Sequence, residues 1–289
     1  MRIGIFGAGQ AGRMIKQWLP GTVNPICFID NNPQKINKIF EGLRIVSFEE
    51  ALTFLLDEII IAVLNRDAES AIYNQIAKSS FKGEVITLNQ INHIQDLRLA
   101  ELRLISREIN KKMILGDVAE VGVYRGEFAA EINRTFSSRK LFLFDTFCGF
   151  AEEDVALERQ LINKGGVCYS NKEKNKFSDT DQNVVFKKLT YPDQAVFVSG
   201  RFPQSVGKVK NQITKFAFVS LDLDLYFPTL EGLRFFYPRL NSGGVIMVHD
   251  YNSDQYPGVN LAVTQFEEKE NLMLIPLADL HGSAIIIHP

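Results

Sequence analysis

The sequence predicts an α/β protein of two doubly wound domains, and three observations predict it. Short β-rich runs alternate with amphipathic helical runs, the pattern that builds a parallel sheet with helices on both faces. The alternation starts twice, each time on a glycine-rich turn between a strand and a helix: "GIFGAGQAG" near residue 7 and "AEVGVYRGE" near residue 122. At 289 residues the chain is long for one compact domain and comfortable for two.

Composition narrows the function classes. Hydrophobic residues make up 46%, charged residues 23%, and the net charge is −2, an ordinary soluble composition with no basic surface for nucleic acid. The longest apolar run, residues 59–64, is far too short to span a membrane. The chain opens directly on a strand pattern with no apolar signal segment. Cys27, Cys148 and Cys168 are scattered without metal-ligand spacing, which argues against a disulfide framework. The expectation is a cytoplasmic protein.

In the first domain, residues 1–95, strands are expected at "RIGIF" (2–6), "PICFID" (25–30), "EIIIAVL" (58–64) and "GEVITL" (83–88). Helical spacing falls at 12–19, 47–56 and 67–79, with Ser47 and Asp67 as N-caps and Glu50 in capping-box register with Ser47. Residues 96–115 read as a connecting helix with Leu102, Ile105, Ile109 and Met113 on one face, packed on a domain or part of a homo-oligomer contact. In the second domain, 116–289, strands are expected at 118–124, 140–145, 195–200, 216–224 and 243–250, closed by an antiparallel pair at 272–277 and 283–289. A polar stretch at 151–193, containing "NKGG", "SNKEKNK" and a short helix at 181–189, interrupts the rhythm and reads as a solvated insertion or an active-site lid.

The first turn places Gly7, Gly9 and Gly12 in G-x-G-x-x-G spacing, answered by Asp30 at the end of the next strand. Such glycines let a pyrophosphate approach the helix N-terminus, and the acid can bond a ribose hydroxyl. The same glycines also serve packing alone in any strand–turn–helix unit. This Rossmann-like domain resembles the small N-terminal domain of bacterial sugar acyltransferases and nucleotide-sugar enzymes, on "CFIDNNPQK" followed by "DEIIIAV". The resemblance implies a nucleotide or nucleotide-sugar ligand at least as much as NAD.

The second turn has a different spacing, E-x-G-x-x-x-G, with Glu120 ending a strand, Gly122 and Gly126 bracketing the turn, and Asp145 at the tip of the next strand. It resembles the first motif of class I S-adenosylmethionine methyltransferases, whose glycines pass close to the methionine part of the cofactor. Cofactor contacts are then expected from Glu120, Gly122, Val123 and Tyr124 at the methionine end, and from Asp145, Thr146 and Phe147 at the ribose. Gly200 with Phe202 would stand on the adenine side, and Asp222 near the reacting end.

Further on, "SLDLDLY" is followed some twenty-five residues later by "GGVIMVHDY". Both end adjacent strands at the edge where open α/β sheets bind ligands, so Asp222, Asp224, His249 and Asp250 should converge. Carboxylates packed that closely repel one another unless they share a cation or a proton. A divalent metal resolves the conflict. Oxygen ligands suit Mg²⁺, Mn²⁺ or Ca²⁺, and an imidazole tilts the choice toward transition metals. A D-x-D also holds sugar-nucleotide diphosphates in glycosyltransferases, and Asp224 could simply cap the next helix.

Together "GDVAEVGVYRGE", "LFDTFCGF", "VFVSGRFPQSV", "SLDLDLYFPTLEGLRFFYPRLNSGGVIMVHDY" and "PGVNLAVTQF" resemble the macrocin O-methyltransferase family over residues 116–270. That family methylates sugar hydroxyls of macrolide and aminocoumarin antibiotics. The resemblance implies a class I methyltransferase domain, S-adenosylmethionine, Mg²⁺ and a sugar-containing acceptor. By the same resemblance Asp222 and Asp250 are metal ligands and Asp224 is the general base. His249 replaces the first aspartate of the family's later Asp-Asp pair and can coordinate through its imidazole. The rival functions are a sugar-nucleotide enzyme using the D-x-D, and a catalytically inactive nucleotide sensor.

Overall fold

The computed structural model describes residues 1–19, 23, 25–88, 90, 96–162 and 177–289. They form two compact units, residues 1–97 with 278–280 and residues 98–277 with 281–289.

The first unit holds a six-stranded sheet of order β3-β4-β2-β1-β5-β6. Its strands are β1 (Ile3–Phe6), β2 (Pro25–Ile29), β3 (Ile39–Phe40), β4 (Leu43–Val46), β5 (Glu58–Ile61) and β6 (Glu84–Thr87). All neighbours are parallel except the β3–β4 hairpin, which the sequence reading passes over. Its two-residue turn, Glu41 and Gly42, has positive φ at both positions, the geometry that matches strand twist in tight hairpins. β1 and β5 are buried at every position, as expected of central parallel strands covered on both faces. The helices are α1 (Gln10–Trp18), α2 (Phe48–Leu52) and α3 (Arg66–Ala77). Ser47 caps α2, accepting from the Glu50 N–H at 3.2 Å. α3 is capped by Asn65, which accepts from the Ala68 N–H at 2.9 Å, and not by Asp67. Asp67 lies in the first turn, where a carboxylate meets the positive end of the helix dipole instead. Residues 278–280, grouped with the second domain by sequence, pack here: Trp18 Nε1 donates to Ala278 O and Gln10 Nε2 to Leu280 O, both at 2.9 Å.

The second unit holds a seven-stranded sheet of order β12-β13-β11-β10-β7-β8-β9. Its parallel strands are β7 (Asp117–Val121), β8 (Leu141–Asp145), β9 (Ala195–Ser199), β10 (Phe216–Leu221) and β11 (Leu240–Val248). β13 (Ala284–Ile287) runs antiparallel between β11 and β12 (Ile275–Pro276), as the closing pair predicts. Chain order reverses at β7, with β8 and β9 on one side and β10 and β11 on the other. A crevice opens at such a switch point, at the strands' C-terminal ends. Alternate residues of β7 feed separate cores: Ala119 and Val121 join one cluster and Val118 the other.

Helices α4 (Leu97–Lys111), α5 (Glu127–Thr135), α6 (Glu152–Ile162), α7 (Gln182–Phe186), α8 (Tyr226–Phe236) and α9 (Pro257–Glu270) cover this sheet. α4 buries Leu102, Ser106 and Ile109. Met113 does not share that face: the helix stops at Lys111, Met113 turns with φ 53° and is 80% exposed. The expected polar insertion carries α6 at its start and α7 near its end, α7 being capped by Asp181 through the Asn183 and Val184 N–H groups. The "NKGG" and "SNKEKNK" segments and Cys168 lie outside the described residues. Among the described residues no helix is long and apolar enough to cross a membrane.

Candidate active site

The glycine turn of the second unit is shaped by its neighbours. Gly122 has φ +87°, and a Cβ there would stand 1.7 Å from the Asp222 carbonyl oxygen. Gly126, with φ +80°, starts α5, and a Cβ there would meet Val185 of α7 at 2.7 Å. Between them, the Val123 and Tyr124 N–H groups donate to Asp145 Oδ2 at 2.6 and 2.9 Å. The Phe147 N–H donates to Asp145 Oδ1 at 2.7 Å, and the Thr146 hydroxyl stands 3.5 Å from the same oxygen. Asp145 therefore organises the turn from the tip of β8, and Thr146 and Phe147 follow it around the edge. Gly200, with φ +128°, donates its N–H to the Asp145 carbonyl at 2.8 Å and so borders the same edge. Phe202 lies elsewhere: it is 5% exposed, in the core, with ring centroids 5.8 Å from Phe144 and Phe236.

Glu120 is 1% exposed, and its Oε2 has no hydrogen-bond partner among the described residues. Burial pushes its carboxyl well above the ordinary range; Arg98 opposes this, while Asp222, Asp145 and Glu127 add to it. Arg98, at the start of α4, was not singled out by the sequence reading, because one arginine in an amphipathic helix carries no signal of its own. Its Nη2 stands 3.1 Å from Asp222 Oδ2 and 3.2 Å from Ser220 Oγ, and its guanidinium lies 3.8 Å over the Phe128 ring.

Strand β10 ends at Leu221, so Asp222 and Asp224 do not share a strand face as their spacing suggests. They meet because the chain turns: Asp224 has φ 60° and Asp250, just past β11, has φ 59°. Aspartate tolerates that left-handed backbone better than most residues. Carboxylate oxygens of Asp222, Asp224 and Asp250 lie within 4.8 Å of one another. His249 Nδ1 sits between two of them, 3.0 Å from Asp222 Oδ1 and 2.9 Å from Asp250 Oδ2. His281, absent from the sequence reading, completes a second group with His249 and Asp250 within the same limit.

The charges settle unevenly. Burial works against both members of the Asp222–His249 pair. For Asp222, His249 and Arg98 outweigh it and hold the carboxyl well below its usual range. For His249, the attraction of Asp222 outweighs it and lifts the imidazole to about 10. Asp224 goes the other way: burial, then the charges of Asp222 and Asp250, raise it well above an ordinary aspartate. The cluster thus keeps protons where a cation would serve. Its donors suit one: in an octahedral shell with bonds of about 2.1 Å, adjacent ligand atoms stand about 3 Å apart. His249 Nδ1 already stands at that separation from both carboxylates.

Residues 37–286 match the family described as Macrocin-O-methyltransferase (TylF). The match begins within the first unit, well before residue 116 where the sequence resemblance starts. No curated protein sequence matches the chain. Among solved structures, the O-methyltransferase NovP is similar at 23% identity, covering 66% of this chain and 79% of that one with a TM-score of 0.53. CalS11, a calicheamicin methyltransferase, is similar at 18% identity, covering 78% of this chain and 94% of that one with a TM-score of 0.54. At such identities these likenesses speak for the mixed α/β methyltransferase fold. The family match over most of the chain says more: this chain belongs to the macrocin-O-methyltransferase family and is an S-adenosylmethionine-dependent O-methyltransferase.

Proposed function

We propose that the enzyme methylates a hydroxyl of a sugar or a glycosylated small molecule at a divalent-cation centre formed by Asp222, Asp250 and His249, with Asp224 as general base. One observation carries this reading: three carboxylates converge at the ends of β10 and β11, against the glycine turn that follows β7.

S-adenosylmethionine supplies the electrophilic methyl group, and the cation supplies Lewis acidity to a hydroxyl oxygen. The chain's residues do the rest. Glu120 and the Gly122–Val123–Tyr124 turn receive the methionine end, and the Asp145 edge, with Thr146, Phe147 and Gly200, receives the ribose side. Phe202 supports this edge from the core. The acceptor hydroxyl must lose one proton as its oxygen takes the methyl group, and Asp224 is the buried carboxylate beside the cluster. Asp222 and Asp250 would hold the cation, which would offset the two charges that add to burial in raising Asp224 and so ease its exchange of a proton with the hydroxyl. Positioning in a partly water-excluded crevice supplies much of the remaining acceleration.

For the first unit we retain the Rossmann-like reading and a nucleotide or nucleotide-sugar ligand. The supporting observation is Gly9. Packing explains Gly7 and Gly12, whose Cβ atoms would stand 2.5 and 2.0 Å from the carbonyl oxygens of Ala62 and Gly7. Among the described residues a Cβ at Gly9 would meet nothing within 4 Å, so packing among them does not require a glycine there.

The test is calorimetric titration of S-adenosylmethionine and of UDP-sugars against the full chain, followed by transfer of a labelled methyl group to sugar-bearing acceptors. The reading expects cofactor binding and chelator-sensitive methyl transfer. Glycosyl transfer from a UDP-sugar, or methyl transfer indifferent to chelation, would overturn it.

A further inference from the structure

The cation centre has a side that the three aspartates do not account for. His249 closes β11, and His281 lies in the turn that leads into β13. Backbone hydrogen bonds hold that turn back against β11. Val248 pairs with Ala284 in the antiparallel ladder, and Asn252 N donates to the Gly282 carbonyl at 2.8 Å. Gly282, with φ +72°, is what lets the turn lie so close: a Cβ there would stand 2.7 Å from Asn252 Cβ. As a result the two imidazole rings lie side by side, centroids 4.9 Å apart and tilted by 33°. One ligand atom from each, with one from Asp250, falls within 4.8 Å of the others. Asp250 belongs to both donor groups, the all-oxygen one with Asp222 and Asp224 and the nitrogen-rich one with the histidines.

We propose that His281 is a further ligand of this centre, and that His249, His281 and Asp250 together make it select a transition divalent cation, such as Mn²⁺, Fe²⁺, Co²⁺ or Zn²⁺, over Mg²⁺. The inference rests on the cation reading above and deepens it. Mg²⁺ is a hard ion that keeps oxygen ligands and several waters. Two imidazoles and one carboxylate form the donor set that first-row transition metals occupy with positions left open for substrate. His281 is exposed and the His249 side chain is 12% exposed, so the pair offers one largely buried imidazole and one open to solvent.

The experiment uses the full chain after chelator treatment. Mn²⁺ and Mg²⁺ are titrated by calorimetry, and the Mn²⁺-loaded protein is examined by pulsed electron paramagnetic resonance for coupling to imidazole nitrogen. The expected result is coupling to two histidine nitrogens, falling to one in His281→Asn. Mn²⁺ affinity in that variant should fall by about tenfold or more, since losing a ligand costs at least what losing a supporting partner does, with Mg²⁺ affinity changed less than about twofold. An unchanged melting temperature without metal shows that the variant is folded; the wild-type spectrum decides the matter regardless of any variant. Bound Mn²⁺ coupled to a single nitrogen, unchanged in His281→Asn, overturns this proposal and leaves the centre of Asp222, Asp250 and His249 standing; no nitrogen coupling at all overturns both. Failure of both ions to bind overturns the centre itself.

Discussion

Gly122 lies so close to Asp222 that a single added carbon at 122 would stand 1.7 Å from the Asp222 carbonyl oxygen. The glycine turn after β7 and the Asp222 arm are therefore in backbone contact, and neither can shift alone. Gly122→Ala should cost roughly 2–4 kcal/mol of stability, from overpacking and from a left-handed residue together. It should also weaken S-adenosylmethionine and cation binding in parallel. Gly126→Ala crowds the Val185 side chain instead, so it should weaken the cofactor and spare the cation. Calorimetry on both variants checks the contrast. Equal loss of cation affinity in the two would separate Asp222 from the turn.

Asp222 and Asp224 should fail differently when each is neutralised. Asp222→Asn removes the carboxylate that His249 and Arg98 both hold ionised, so cation affinity falls and added cation restores part of the turnover. Asp224→Asn should keep both ligands and lose turnover by roughly 10²–10⁴-fold, the usual worth of a general base. Normal turnover in Asp224→Asn would remove it from the proton's path.

Arg98 is the counter-charge on the buried side of this cluster. Arg98→Met keeps an apolar side chain beside Phe128 but loses the guanidinium stack, and leaves Asp222 and Glu120 facing one another without the charge. A loss of roughly 2–3 kcal/mol in denaturant unfolding is expected, below the full cost of orphaning a buried charge because Asp222 is partly exposed. Arg98→Lys should recover about half, since it restores the charge without the planar fork. A silent Arg98→Met would show that solvent already neutralises Asp222.

In the first unit, two glycines of one motif should behave differently. Gly12→Val drives a side chain into the Gly7 carbonyl and should lower the melting temperature. Gly9→Val places its Cβ in open space and, at the N-cap of α1, should lower it less than Gly12→Val does, while abolishing any rise caused by UDP-sugar, NAD or coenzyme A. If none of these raises the wild-type melting temperature, the glycines serve packing alone.

Most strands were legible because each is a short apolar run bounded by turn residues, and the convergence of Asp222, Asp224 and Asp250 followed from their places at strand ends. Most of what escaped the reading shares one cause. In α6 the buried positions are Asp154, Val155 and Glu158, so two acids stand where a helical pattern should show apolar residues. Each acid is matched by a partner remote in sequence: Asp154 by Arg201 at 2.5 and 3.0 Å, Glu158 by the Tyr226 N–H at 2.7 Å. Arg98 and His281 were missed likewise, since single polar residues gain meaning only from what the fold sets beside them. The β3–β4 hairpin escaped because β3 is two residues long.

Glu158 offers the clearest pH test outside the aspartate cluster. It is 1% exposed, and its carboxylate meets the N–H groups at the starts of α8 and α9. Gly258 leaves room for it: a Cβ there would stand 1.9 Å from Glu158 Oε1. Burial pushes the carboxyl up to about 7, although those N–H groups pull it down. The folded chain therefore holds a proton that the unfolded chain releases near 4.5, and stability should fall as pH rises from about 4.5 to about 7, then level off. Glu158→Gln keeps an acceptor for Tyr226 and cannot ionise, so the difference in unfolding free energy between wild type and variant should change across that window and be flat above it. Parallel stability curves for the two proteins from pH 5 to 8 would mean that Glu158 ionises freely inside the fold.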